Sequence, residues 1–138
     1  MAVIAFANTK GGVGKSTLAA HFAVSFEQAS RPVSLIDLDF QQKSLTHFVS
    51  ARHSSGVPGD ATLALADIGF DASLPVQSRA KAFQERLQNE AAELSAAGHV
   101  VIIDLPATGG GFIGLTLQIA DILITPVNES LVDLATIE

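Results

Sequence analysis

The chain has 138 residues, 48% hydrophobic and 16% charged, with a net charge of −6. This is one domain's length with enough apolar material for a large core, which excludes a disordered chain. Cysteine is absent, which excludes disulfides and thiolate metal sites, and Lys, Asp, Gly or Pro interrupts every apolar run before it is long enough to span a membrane.

The start of the chain has no signal-type pattern and runs straight into a strand, so a cytoplasmic location is expected. Charge is unevenly spread. The last Lys or Arg is Arg86, and seven acids follow it (Glu90, Glu93, Asp104, Asp121, Glu129, Asp133, Glu138). The later part of the chain therefore has no basic stripe for nucleic acid. Any DNA contact would have to use Arg31, Lys43, Arg52, Arg79, Lys81 or Arg86, and the competing reading of these six is ordinary solvated charge.

The apolar run Ala2 to Ala7 predicts a buried parallel strand. It leads into Lys10-Gly11-Gly12-Val13-Gly14-Lys15-Ser16-Thr17, and a helix-forming run, Leu18 to Ala29, leads out. Strand, glycine-rich turn and helix form the context in which a backbone loop cradles phosphate. The glycines let several N–H groups converge, and the helix start adds its positive end. Lys15 supplies a point charge for the β- and γ-phosphates, and Ser16 a hydroxyl for Mg²⁺. Thr9 stands where the usual phosphate loop has its first glycine. Leu18, Phe22, Phe26 and Ala29 predict a core-facing stripe, with His21 off it at the surface.

Val33 to Asp37 predicts a second strand, which places Asp37 and Asp39 at its carboxyl end with Leu38 turned to the core. Two solvated turn aspartates are the competing reading. Ser44 to Arg52 predicts a short helix, His53 to Asp60 a loop, Thr62 to Ile68 a short strand and Gly69 to Ser78 a loop. Arg79 to Ala97 predicts a long helix with Phe83, Leu87, Ala91 and Leu94 in register, closed by Gly98. Val100 to Asp104 is an apolar strand that delivers one carboxylate beside the phosphate loop for Mg²⁺. Leu105 to Gly111 is a glycine-rich loop able to change shape with a nucleotide. A short helix from Phe112 to Ala120, a buried strand from Ile122 to Val127 and a turn at 128–130 follow. Ser130 can cap a helix opening at Leu131. No terminator precedes Glu138, so the chain is expected to be the amino-terminal part of a single P-loop domain spanning 1–138 and continuing beyond it.

The pattern K-G-G-x-G-K-[ST], with its second lysine at Lys10, resembles the deviant phosphate loop of the ParA/MinD ATPases. The Asp37-Leu38-Asp39 stretch and the strand ending on Asp104 match that family too. Within it, three stretches are most similar to the MipZ division-site regulators: Ile36 to Asp39 running on through Gln42 to Phe48, Leu63-Ala64-Leu65, and Thr125 to Asp133. There are departures. Phe40 replaces the proline of plasmid partition proteins, and Leu105 and Ala107 depart from a D-T-P-G sequence.

The resemblance implies a three-layer α/β P-loop fold with a mainly parallel sheet flanked by helices. It implies an ATPase that binds ATP and Mg²⁺ through Lys10, Gly11, Gly12, Val13, Gly14, Lys15, Ser16 and Thr17. The catalytic group would be Lys10, Lys15 and Asp39, with Ser16, Asp39 and Asp104 about the metal and Asp39 near the attacking water. Lys10 would reach the partner's phosphates across an ATP-dependent homodimer. In an intact protein the resemblance further implies contacts with a ParB-type protein, FtsZ and non-specific DNA. Other readings of the residues are a plasmid or chromosome partition ATPase, a membrane switch, a biosynthetic ligase of the same fold lacking the Lys10 lysine, and a non-catalytic nucleotide-binding interaction module.

Overall fold

Among the described residues, five parallel strands form the centre, in the spatial order β3-β2-β4-β1-β5. They are β1 (Val3–Phe6), β2 (Val33–Asp37), β3 (Leu63–Ala66), β4 (Val100–Asp104) and β5 (Ile122–Ile124). The helices are α1 (Lys15–Gln28), α2 (Ser44–Ser55), α3 (Val76–Ala96) and α4 (Gly110–Thr116). The computed structural model describes residues 2–56, 63–66, 68–69, 73–107 and 110–127.

β1 and β4 are buried at every position, which is why their sequences are continuous apolar runs rather than alternating, except for the Asp104 that ends β4. Helices cover both sheet faces. On one, Val3, Ala5, Ile36, Val101 and Ile103 pack with Phe83, Leu87 and Ala91 of α3. On the other, Ile4, Phe6, Leu35 and Ile102 pack with Ala19, Ala20 and Ala23 of α1 and Leu45 and Val49 of α2. This is the expected three-layer architecture. Register then aligns the strand ends: Phe6 pairs with Asp104, and Asp37 pairs with Asp104. Three residues from three separated segments thereby meet at one edge.

Several boundaries differ from the sequence expectation. The first strand ends at Phe6. α1 begins at Lys15, because the glycine loop feeds directly into helical geometry; Gly14 is its N-cap at φ 81°. Its buried face is also different. Ala19 and Ala23 are fully buried, Leu18, Phe22 and Phe26 are half-buried at its flanks, and Ala29 is exposed. The small residues let the helix approach the sheet closely. α2 runs past Arg52 to Ser55, where Gly56 at φ 61° ends it, so 53–55 are helical. The short strand runs over Leu63–Ala66, and Thr62 and Asp67 of the expected span lie outside the described residues. α3 starts three residues early, after Pro75, whose ring suits a helix entry. α4 covers Gly110–Thr116, with turns over 117–119, and β5 stops at Ile124, two residues before Pro126; it is an edge strand of the described sheet, so Ile122 and Leu123 are exposed rather than buried as expected. The expected turn at 128–130 and the helix from Leu131 lie outside the described residues.

The alanine face generates a test. Ala23→Leu should lower stability by about 1–3 kcal/mol by overpacking the α1–sheet interface. Urea unfolding measures it, and an unchanged midpoint would mean that α1 has room to spare.

Candidate functional site

The loop between β1 and α1 holds its shape through backbone that side chains disfavour. Gly12 and Gly14 sit at φ 75° and 81°, a region that glycine enters freely. Gly11 faces the loop after β4: a Cβ there would lie 4.0 Å from the Ala107 Cβ. No acidic residue occupies the first turn of α1, so its N-terminal N–H groups and positive end are left for an anion.

Lys15 opens α1 and turns inward. It is 7% exposed, and its Nζ donates to Oδ1 of the fully buried Asp104 at 2.9 Å. The other oxygen, Oδ2, is buried with no hydrogen-bond partner. Burial pushes the Asp104 carboxyl above the ordinary aspartate range, and the Asp37 charge adds to that; the Lys15 ammonium and the Ser16 hydroxyl pull the other way. The net direction is upward. Desolvation therefore outweighs the pairing, and the carboxylate stands ready for further positive charge.

The two aspartates at the carboxyl end of β2 divide their work. Asp37 braces the scaffold: its Oδ2 accepts from the Thr46 N–H and hydroxyl, both at 3.0 Å, and its Oδ1 accepts from the Asp39 N–H at 3.1 Å. The start of α2 is pinned to β2 in this way. Asp39 instead lines the cleft. Its Oδ1 accepts from the Gln42 N–H at 3.0 Å, and its carbonyl accepts from the Lys43 N–H at 2.8 Å. Leu38 between them is fully buried, as alternation predicts.

A cleft of about 740 Å³ opens at the strand ends. All eight residues from Lys10 to Thr17 line it, together with Asp39. Asp104 is not on the lining; it reaches the site through Lys15 from below. Leu38, Phe40, Gln41, Gln42, Ser44, Pro106, Ala107 and Phe112 complete the walls. Leu105, a departure from the threonine of related loops, is 1% exposed and belongs to the core. The substitution therefore exchanges a hydroxyl for packing and leaves Pro106 and Ala107 at the cleft.

Sequence reasoning missed Asn8. It is 7% exposed; its Nδ2 donates to the Pro126 carbonyl at 2.6 Å and its Oδ1 accepts from the Lys10 N–H at 2.7 Å. One side chain thus clasps the mouth of the glycine loop to the segment after β5. The available signal was a polar residue directly after a fully apolar strand. Arg52, one of the six cations available for DNA, lies 2.7 Å from Glu27 Oε2, where it ties α2 to α1.

The donor set fits a magnesium ion. Among the described residues no group of three His, Cys, Asp or Glu side chains could hold a metal alone. A magnesium ion does not need one: it takes one or two protein oxygens and completes its shell with water and phosphate. The orphaned Asp104 Oδ2 and the Ser16 hydroxyl are oxygens of that kind. Among the described residues no helix is long and apolar enough to cross a membrane.

The sequence model of the family described as ATPase MipZ matches residues 2–138. The chain is 26% identical over 140 residues to an uncharacterised ATP-binding protein of Methanocaldococcus jannaschii; the match covers 93% of this chain and 53% of the relative. The chain therefore spans about half the length of that curated relative. Among solved structures it is similar to a plasmid partition protein of Borrelia burgdorferi bound to AMPPNP, at TM-score 0.70 and 18% identity, covering 99% of this chain and 66% of that one. It is likewise similar to a chain of the MinC:MinD cell division protein complex of Aquifex aeolicus, at TM-score 0.65 and 19% identity, covering 99% and 60%. At these identities the structural likenesses establish the fold.

The raised Asp104 carboxyl sets a pH expectation. Between about 3.9, the ordinary aspartate value, and its raised value, the folded chain binds a proton that the unfolded chain does not. This group's contribution to stability therefore falls as pH rises through that window, and its penalty is complete above it. In EDTA and without nucleotide, Asp104→Asn should be at least as stable as the parent at pH 7, with the difference shrinking on acidification. Urea unfolding at several pH values checks this. A loss of about 3–5 kcal/mol at pH 7, as for breaking a favourable buried pair, would show that the Lys15 attraction dominates instead.

Proposed function

The chain belongs to the MipZ ATPase family, and from that premise we propose that it binds Mg·ATP and hydrolyses it slowly, as an ATP-dependent dimerising switch of the ParA/MinD type. The observation that carries the reading is the Lys15–Asp104 pair: a buried lysine at the head of α1, under the glycine loop, against a carboxylate with one oxygen orphaned.

In this reading the loop N–H groups and Lys15 hold the β- and γ-phosphates. Lys15 exchanges its carboxylate partner for phosphate oxygens when nucleotide arrives. Ser16 and Asp104 would hold magnesium, which when bound supplies positive charge against the phosphate oxygens. Asp39, at the cleft wall, orients the attacking water. Catalysis is positioning plus charge stabilisation, the demand that phosphoryl transfer makes. Lys10, exposed at the loop mouth, adds a second ammonium near Lys15. A facing active site in a two-fold dimer would bring phosphate charge to offset it.

Residues 1–138 are read as the amino-terminal part of one such ATPase domain; the match spans about half of the curated relative. Dimerisation, cytoplasmic division-site or chromosome-partition work, and contacts with a ParB-type protein, FtsZ or DNA are proposed for the whole protein on the strength of family membership.

Lys15→Ala should abolish Mg·ATP binding while leaving a folded chain by circular dichroism; parental affinity in a mant-ATP titration would overturn the phosphate-loop assignment. Asp39→Ala should bind ATP but release no phosphate in a turnover assay. If it turns over at the parental rate, Asp39 does not position water. In a full-length protein carrying Asp39→Ala, adding Lys10→Ala should retain ATP binding and remain monomeric by light scattering. A stable ATP-dependent dimer there would leave Lys10 as a solvated loop lysine.

A further inference from the structure

Three phenylalanines from three segments meet behind the cleft. Phe40 follows Asp39, Phe83 lies on α3, and Phe112 lies on α4 just beyond the loop after β4. Their ring centroids are 6.1 Å apart for Phe40–Phe83, 6.3 Å for Phe40–Phe112 and 5.5 Å for Phe83–Phe112. The interplanar angles of 80°, 68° and 76° are edge-to-face, the arrangement that ring quadrupoles favour. Two of the rings, Phe40 and Phe112, line the cleft. Phe83 does not; it is 3% exposed and anchored in the core with Leu87 and Ala91.

We propose that Phe83 is a positioning residue: its ring locks the Asp39-bearing segment and the segment after β4 into one unit, so that the two walls facing the γ-phosphate position move together. The proposal rests on the ATPase reading only for its effect on turnover. The geometry explains why three rings are needed. Leu38 and Leu105 are buried and fix the roots of both segments, and backbone bonds hold those roots, Leu38 N–H to the Asp104 carbonyl at 2.9 Å and Leu105 N–H to the Phe6 carbonyl at 3.1 Å. Beyond the roots, Asp39 is held by its own local turn to Gln42 and Lys43. The Phe40 ring is the next side chain along, and it ties that turn to Phe112 and Phe83. An aromatic contact of this kind adds a small attraction beyond burial. That is enough to bias a loop, and too little to hold the fold. A mobile wall would misplace Asp39 against its water, and small misplacements of a positioned group cost rate steeply.

The test compares Phe83→Leu, which keeps an apolar side chain in the core but removes the ring, with Leu87→Val, one turn along α3 in the same core. Hydrogen exchange is read on the free chain, so this arm does not depend on any activity. Phe83→Leu should speed exchange at the Gln42 and Lys43 amides and at the Leu117 amide, bonded to the Ile113 carbonyl at the end of the helix that carries Phe112, together, with the β-strand amides unchanged; Leu87→Val should not. In the turnover arm, Phe83→Leu should lower kcat by about tenfold or more with mant-ATP affinity within about twofold of the parent. Faster exchange in one wall only, or the same pattern in both variants, would overturn the proposal. If the full-length parent hydrolyses no ATP, the catalytic reading fails and the exchange arm alone decides the coupling. If the parent turns over ATP and Phe83→Leu keeps the parental kcat, Phe83 is a core residue and nothing more.

Discussion

A carboxylate buried in a protein core needs positive charge beside it, and Asp104 has one ammonium, that of Lys15, at 2.9 Å. The pair does not come free. Burial raises the Asp104 carboxyl in spite of the lysine, so the fold holds this group at a cost and leaves Oδ2 unpartnered. Natural proteins keep such costs where function requires them. Much of the molecule serves to hold that pair in place. β4 carries Asp104 in the middle of the sheet, flanked by β1 and β2, and the glycine loop brings Lys15 back over the strand ends.

The same edge explains the division between Asp37 and Asp39. Three carboxylates near one point would repel, and Asp37 and Asp104 are already paired in register. Asp37 is occupied by the Thr46 N–H and hydroxyl and by the Asp39 N–H, which satisfies it as a brace for α2. Asp39 lies beyond the strand, at the cleft wall. Position relative to the strand end, not residue type, separates scaffold from site.

The positions of the candidate site residues are legible in the sequence because each is fixed by local spacing. The phosphate loop, the Asp39 position and the strand ending at Asp104 follow from glycine chemistry and from apolar runs that end on an acid. β2 and β4 were read to the residue for the same reason. Less legible were features that depend on distant partners. The buried alanine face of α1 is invisible to a reading that looks for large apolar residues, because close approach to a sheet rewards small ones. Asn8 is defined by the Pro126 carbonyl 118 residues away. The Phe40–Phe83–Phe112 cluster assembles from three elements with no shared period. Helix ends shifted where a turn of loop or a half-buried surface extended the hydrogen-bonded run past the apolar stripe.

Where Lys15 goes when nucleotide is present decides whether the cleft is an ATP site. A crystal structure of the chain with Mg·AMPPNP measures it directly. The triphosphate should lie in the glycine-loop cleft, Lys15 Nζ should have left its 2.9 Å contact with Asp104 Oδ1 for phosphate oxygens, and the Asp104 carboxylate should face the metal side of the site. A nucleotide bound elsewhere, or one seated in the cleft with the Lys15–Asp104 bond intact, would contradict this.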